Sequence, residues 1–214
     1  LEYDEPINDW RVAYLNCRVI GFKELAEDIL NIAIMMKNKK PNGVYDLDRL
    51  FREREMDILY QFLIEAKKQT YANANVEKMK PSRLGSSDYH YEAEYDKETL
   101  ICHDTYFGGT KFMGEEVVYW GSDIPKWGMN YYGVTVDETL SEEAMDKALR
   151  PALMRVGEDP SVLPVRGSSK FEQDGYMYTF TSEGTIDNFE GIEEIYKDGK
   201  LIYQLRCHGG IIEK

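Results

Sequence analysis

The chain has 214 residues, 43% of them hydrophobic and 30% charged, and a formal net charge of -13. That length suits one sizeable domain, or a domain with a helical appendage. The negative balance disfavours contact with a phosphate backbone, which needs clustered Lys and Arg, and no apolar run of about 18 residues suggests a membrane span.

The first ten residues, LEYDEPINDW, are acidic and have no apolar h-region, so they do not read as a signal peptide. Cys17, Cys102 and Cys207 are too few and too odd for a disulfide framework, which points to a reducing, cytoplasmic setting. Residues 1–60 hold 12 Asp+Glu and 9 Lys+Arg, the remainder 27 and 17. The acid therefore sits mostly in the second part. Solubility is the plain explanation, and an acidic face for a basic partner, or a DNA mimic, is the sharper one.

In chain order, residues 8–20 can form a helix capped by Asn8 or Asp9. Residues 22–37 place Phe22, Leu25, Ala26, Ile29, Ile32, Ala33 and Met36 at helical spacing. Pro41-Asn42-Gly43 is a stop. A third helix, capped by Asp46 or Asp48, is expected to reach about Thr70 with Leu50, Ile58, Phe62 and Leu63 as its apolar stripe and Leu47, Phe51 and Leu59 flanking. These helices read as a packing layer or a dimerisation arm rather than a helix-turn-helix, because no recognition helix is apparent and the basic residues are not gathered.

Residues 72–88 are turn formers. Tyr89, Tyr91, Ala93 and Tyr95 then alternate with His90, Glu92 and Glu94, a strand pattern. A second strand is expected over 99–107, ended by Gly108-Gly109, and a hairpin over 117–120 and 127–136. Ser141 reads as the N-cap of another helix, which Pro151 should kink or split. Four more strands are expected at roughly 166–172, 176–182, 186–196 and 201–208, turning at Asp174-Gly175, Glu183-Gly184 and Asp198-Gly199. No internal repeat is visible. The expected fold is α+β: N-terminal helices packed on a strongly bent antiparallel sheet or partly closed β-barrel, with one crossing helix. The division is a helical segment over 1–60 and a β-rich domain over 61–214.

The pieces FLIEAKKQTYA (62–72), PSRLGSSDYHY (81–91), DTYFGGTKFMGEE (104–116), WGMNYYG (127–133), FEGIEEIY (189–196) and CHGGIIEK (207–214) resemble an uncharacterised bacterial domain family over residues 60–214. Its members occur alone or behind helix-turn-helix regulators of the XRE type. The resemblance implies a sensor or effector module. The first 60 residues show no XRE-type motif.

Several candidate chemistries can be weighed. Ser82, Arg83 and Asp88, in a loop with Gly85 and Ser86, can cradle an anion or simply cap turns. Glu115, Glu116 and Asp104 can share acid/base work, although adjacent strand residues point to opposite faces. Whichever face of 189–196 is inward carries a glutamate, Glu193 or its neighbours, which needs a partner; Arg83, Arg166 and Arg206 are available. Cys102-His103 and Cys207-His208 show no chelating spacing; a mixed site of His103, His208 and Asp104 is the one metal arrangement to consider. A Ser-His triad has no nucleophile elbow to support it. Tyr106, Trp127, Tyr131 and Tyr132 can form an aromatic cup with Asn130 as a polar anchor, around a planar or sugar-like ligand.

The function expected is a non-catalytic small-molecule-sensing or interaction module. A hydrolase or transferase using Asp104, Glu115 and Glu116 is the alternative, and an acidic protein-binding module a third. No cofactor and no metal are expected, no nucleic acid or membrane is a partner, and a homodimer through the N-terminal helices is a candidate assembly.

Overall fold

The computed structural model describes residues 47–213 except 96, 122 and 137–141. The helices expected over 8–20 and 22–37, the stop at 41–43, the Ser141 cap and the dimerisation arm lie outside the described residues. The chain divides into two compact units, Leu1–Phe51 and Arg52–Lys214, and the sheet belongs to the second.

Helix α1 (Leu47–Gln69) buries Leu59, Phe62, Leu63 and Ala66. These recur every three to four residues, one stripe of a helix. Leu59, expected at the flank, is central to it. Phe62 stacks on Tyr91 and meets Tyr95 edge-on, so the tyrosine face of the first strand is the one that packs. Among the described residues no helix is long and apolar enough to cross a membrane.

Eight strands come after it: β1 (Ser87–Tyr95), β2 (Glu98–Gly108), β3 (Lys111–Trp120), β4 (Pro125–Thr135), β5 (Lys170–Gln173), β6 (Tyr176–Thr185), β7 (Asn188–Lys197) and β8 (Lys200–Ile211). They form one antiparallel sheet in the order β1-β2-β3-β4-β8-β7-β6-β5. The sheet is open, with β1 and β5 as its edges, so the partly closed barrel is not formed. Each half is a meander, and the halves join where β4 lies against β8.

Between the halves come α2 (Glu142–Ala144), a π turn (Met145–Leu149) and α3 (Arg150–Leu153). Pro151 has no N–H for the helical ladder. The turn before it widens, with the Arg150 N–H bonding to Met145 O, the form a π turn takes. Ala148, Leu149, Ala152 and Leu153 join Phe62 and Leu63 in one core. Both helical segments therefore cover the same, inner face of the sheet.

The strand registers reveal an internal two-fold repeat that the sequence does not announce. Phe112, Gly114, Glu116, Val118 and Tyr119 of β3 stand at the same offsets as Phe189, Gly191, Glu193, Ile195 and Tyr196 of β7. Both strands slip register at the last pair, Val118/Tyr119 and Ile195/Tyr196. Both phenylalanines face a glycine, Phe112 against Gly133 and Phe189 against Gly209. The rings then cross the seam in matching fashion: Phe112 stacks on Tyr203 at 6.1 Å, and Phe189 on Trp127 at 5.9 Å. Each buried glutamate takes a buried cation from the segment preceding its meander. Lys67 at the end of α1 pairs with Glu116, and Arg166 after α3 pairs with Glu193.

Candidate functional site

Alternation divides the expected site residues between the two faces. Asp88, Thr105, Glu115, Asn130, His208 and Glu190 are successive register partners across β1, β2, β3, β4, β8 and β7. They form one polar row on the outer face. Asp104, Tyr106, Glu116, Trp127, Tyr131 and Glu193 point inward. The expected trio of carboxylates is therefore split, with Glu115 outside and Asp104 opposite Glu116 inside. The expected cup is split too: Asn130 and Tyr132 are on the outer face, and Tyr132 is 55% exposed. Trp127 is fully buried, stacked on Phe189, and donates Nε1–H to Ile186 O at 2.9 Å. It has no free face for a ligand.

The loop before β1 folds over the outer end of Asp88. The carboxylate accepts from Ser82 Oγ at 2.6 Å, Ser86 Oγ at 2.5 Å, Thr105 Oγ1 at 2.7 Å and the Ser82 N–H at 3.1 Å. His103 Nε2 lies 3.0 Å away. Burial alone would raise this carboxyl, but the Ser82, Ser86 and Thr105 bonds outweigh it and hold Asp88 well below the usual carboxylate range. The donors expected to cradle an anion are thus turned on the protein's own carboxylate, and Arg83 reaches Glu115. Asp88→Ala should cost about 2–3 kcal/mol, since several bonds to one charge go at once. Urea unfolding at pH 7 measures it; a change below about 0.5 kcal/mol would show that the loop is not anchored there.

The cysteine–histidine pairs split in the same way. Cys102 and Cys207 are buried inward, while His103 and His208 face outward. Burial pushes the Cys207 thiol up to about 12 and the Cys102 thiol well above its ordinary value, with the Glu116 charge adding to it. Neither is a ready nucleophile. Among the described residues no three His, Cys, Asp or Glu side chains are placed to hold a metal ion.

On the inner face, between the sheet and the helical segments, lies a cavity of about 260 Å³. That is just below the roughly 300–1,000 Å³ of ligand pockets for drug-sized molecules, a size for a small ligand. Asp104, Tyr131 and Arg166 form its polar side, and Tyr71, Tyr106, Phe112 and Tyr203 its aromatic side. The exposed β2–β3 turn at Gly108, Gly109 and Thr110 and the half-buried Thr135 and Met145 lie toward its opening, and the buried Leu149 of the π turn completes the lining. The widened turn before Pro151 thus serves as one lip of the opening, a common place for such turns.

Asp104 is only 5% exposed. Its Oδ1 accepts from Tyr131 Oη at 2.7 Å. Tyr131 reaches that position because Gly114 has no Cβ; one placed there would lie 2.4 Å from the ring. Burial and the adjacent Glu116 charge push Asp104 up to about 6, against the opposing pull of Lys67, Tyr131 and Arg166. Arg166 gives Nε and Nη2 to Glu193 at 2.8 and 2.7 Å, and Tyr178 and Tyr203 donate to the same carboxylate, each at 2.8 Å. Burial would lower Arg166, but the Glu193 charge keeps the guanidinium firmly protonated.

The repeat shows what is peculiar to this cavity. Asp104 is the register partner of Glu116, and Phe180 is the register partner of Glu193. The same place in the frame is filled by a ring in one half and carries a carboxylate beside a cavity in the other. Asp104, Tyr106 and Tyr131 are among the residues to which the sequence alone points. Tyr71, Phe112 and Tyr203 are not, because they meet only through helix packing and the β4–β8 seam. Arg166 was one of three possible partners for the inward glutamate, and the geometry selects it.

No curated protein and no solved structure matches this chain. A family model for a domain of unknown function, DUF5680, matches residues 104–212. That span includes β3 to β8 and part of β2 from Asp104 onward, so it holds both copies of the repeated strand and most of the cavity. It leaves out the segments at 62–72 and 81–91. On this match over half its length, the chain belongs to the DUF5680 family, a domain of unknown function.

Proposed function

We propose that the unit Arg52–Lys214 binds a small organic molecule in the inner-face cavity and acts as a non-catalytic sensing module. The observation that carries this reading is the pairing of an aromatic-lined opening with a buried carboxylate that the repeated frame does not require. The resemblance to a family found behind XRE-type regulators supports a role in transcriptional control.

The test is ligand-observed NMR of a fragment library against the wild type and two blocked variants. Gly109 has nothing within 4 Å of an added Cβ and no left-handed backbone requirement, so Gly109→Phe should fold and narrow the rim. Thr135→Phe crowds it from β4. The expected result is a set of fragments bound by the wild type and at least tenfold more weakly by both variants. Fragments that bind all three proteins alike would place binding elsewhere and remove this reading.

A catalytic role has one observation in its favour. Asp104, near pH 6, faces Glu116, which Lys67 holds, and carboxylates in unlike environments can divide acid and base work. Hydrolysis of esters, glycosides or phosphoesters that is lost in Asp104→Asn and kept in Glu115→Gln would favour an enzyme over a sensor.

A further inference from the structure

The buried ionisable side chains of the inner face, among the described residues, are Lys67, Asp104, Glu116, Arg166 and Glu193. Two are cations and three are carboxylates. Glu116 holds Lys67, and Glu193 holds Arg166 through two bonds. Asp104 forms no ion pair among the described residues; its hydrogen bond is from Tyr131. The interior is therefore one positive charge short, and the uncompensated carboxylate borders the cavity. A buried charge with no partner is costly. The aromatic faces opposite it attract cations. Lys78 Nζ already sits 5.2 Å from the Tyr106 ring centroid, and Arg166 6.0 Å from that of Tyr131.

We infer that the ligand is a monocation with an aromatic body, of the arylalkylamine class, its ammonium on Asp104 and its ring against Tyr71, Tyr106, Phe112 and Tyr203. The inference rests on the reading of the cavity as a ligand site. An anionic ligand is disfavoured because the Arg166 fork is already occupied by Glu193. The other groups facing Asp104 do not supply the missing charge. The Tyr71 and Tyr131 phenols and the Cys102 thiol are held by burial above their ordinary values and stay neutral. Tyr106 contributes a ring to this wall, not a cation, and Tyr89 packs against the Tyr71 and Tyr106 rings. Arg150, over the Tyr71 ring, pairs with Asp146, and Lys78 bonds to Ser87.

Three probes of one size test this by calorimetric titration: phenethylamine, 2-phenylethanol and phenylacetate, at pH 7.5 and pH 5, on the full chain. The wild type should bind the amine at least tenfold more tightly than the alcohol and bind the carboxylate worst. Protons compete for Asp104, so affinity for the amine should fall about tenfold per pH unit below about 6. Asp104→Asn should remove the amine's advantage over the alcohol. If the alcohol or the carboxylate binds best, and Thr135→Phe abolishes that binding, the cavity stands and the cation inference falls. If no probe binds at millimolar concentration, or if Gly109→Phe and Thr135→Phe bind all three like the wild type, both fall.

Discussion

Asp104→Asn is expected to stabilise the folded protein by about 1–3 kcal/mol at pH 7 and to leave it unchanged at pH 4. The folded state raises this carboxyl from 3.8 to about 6, through burial first and the Glu116 charge second. Unfolding returns it to an ordinary value near 4. Ionising Asp104 is thus harder in the folded protein, which binds the extra proton between about pH 4 and pH 6. Stability from this group is greatest below about pH 4, falls as pH rises to about 6, and is constant above. Two pKa units at about 1.4 kcal/mol each set the upper end of the range. Asn keeps an acceptor for the Tyr131 hydroxyl and removes only the charge. Urea unfolding of both proteins at the two pH values measures the effect. Asp88 runs the other way, since its lowered carboxyl stabilises the fold above about pH 4 and loses that effect on acidification. It is common to both proteins and cancels in the difference. A variant no more stable than wild type at pH 7 would show that Asp104 has a counter-charge. A gain in stability from removing a polar group is itself a mark of a residue kept for binding.

Arg166→Met should cost about 3–5 kcal/mol, the largest loss expected from any single change of charge in this unit. The physical reason is the carboxylate left behind. Glu193 is fully buried, and two of its four strong hydrogen bonds come from the guanidinium. Tyr178 and Tyr203 cannot supply a charge. The double variant Arg166→Met with Glu193→Gln should be more stable than Arg166→Met alone by at least about 1 kcal/mol, because the amide oxygen still accepts from a tyrosine and no ion remains unpaired. Denaturant midpoints of the two singles and the double decide it. Additive losses would mean that the two side chains are not one unit.

Much of the fold was legible because it rests on local signals. The alternation of Tyr89, Tyr91, Ala93 and Tyr95 marks β1, and Asp174-Gly175 and Asp198-Gly199 turn the chain with both residues in the left-handed region. Glu183-Gly184 misleads: β6 continues to Thr185, and Ile186-Asp187 make the turn. β3 begins at Lys111 rather than near Val117, since Gly114 reads as a break when it is a strand glycine that makes room for Tyr131. β5 begins at Lys170, not 166, because the backbone before it is engaged elsewhere, Gly167 N–H on Tyr178 Oη and Ser168 N–H on Ala152 O.

The repeat is hidden in the sequence for a related reason. Only one strand of each half keeps matching residues, and three residues separate Gly108 from its partner Phe112 while four separate Gly184 from its partner Phe189. The site was half legible. Strand parity decides which of Glu115 and Glu116 is inward, and it separates Tyr131 from Asn130. Parity cannot give the non-sequential pairing of β4 with β8, which brings Tyr203 beside Phe112. Nor can it give the crossing of the helical segments, which delivers Tyr71 and Arg166.

The most direct test of a cation site at Asp104 is a carboxyl ¹³C NMR titration, assigned by the loss of its signal in Asp104→Asn, without and with saturating phenethylamine. The expected midpoint is near 6 in the free protein. It should fall by at least one pH unit when the amine is bound, since a ligand that prefers the ionised carboxylate must lower its pKa. A midpoint near 4 in the free protein, or one that the amine leaves unmoved, would contradict the cation site.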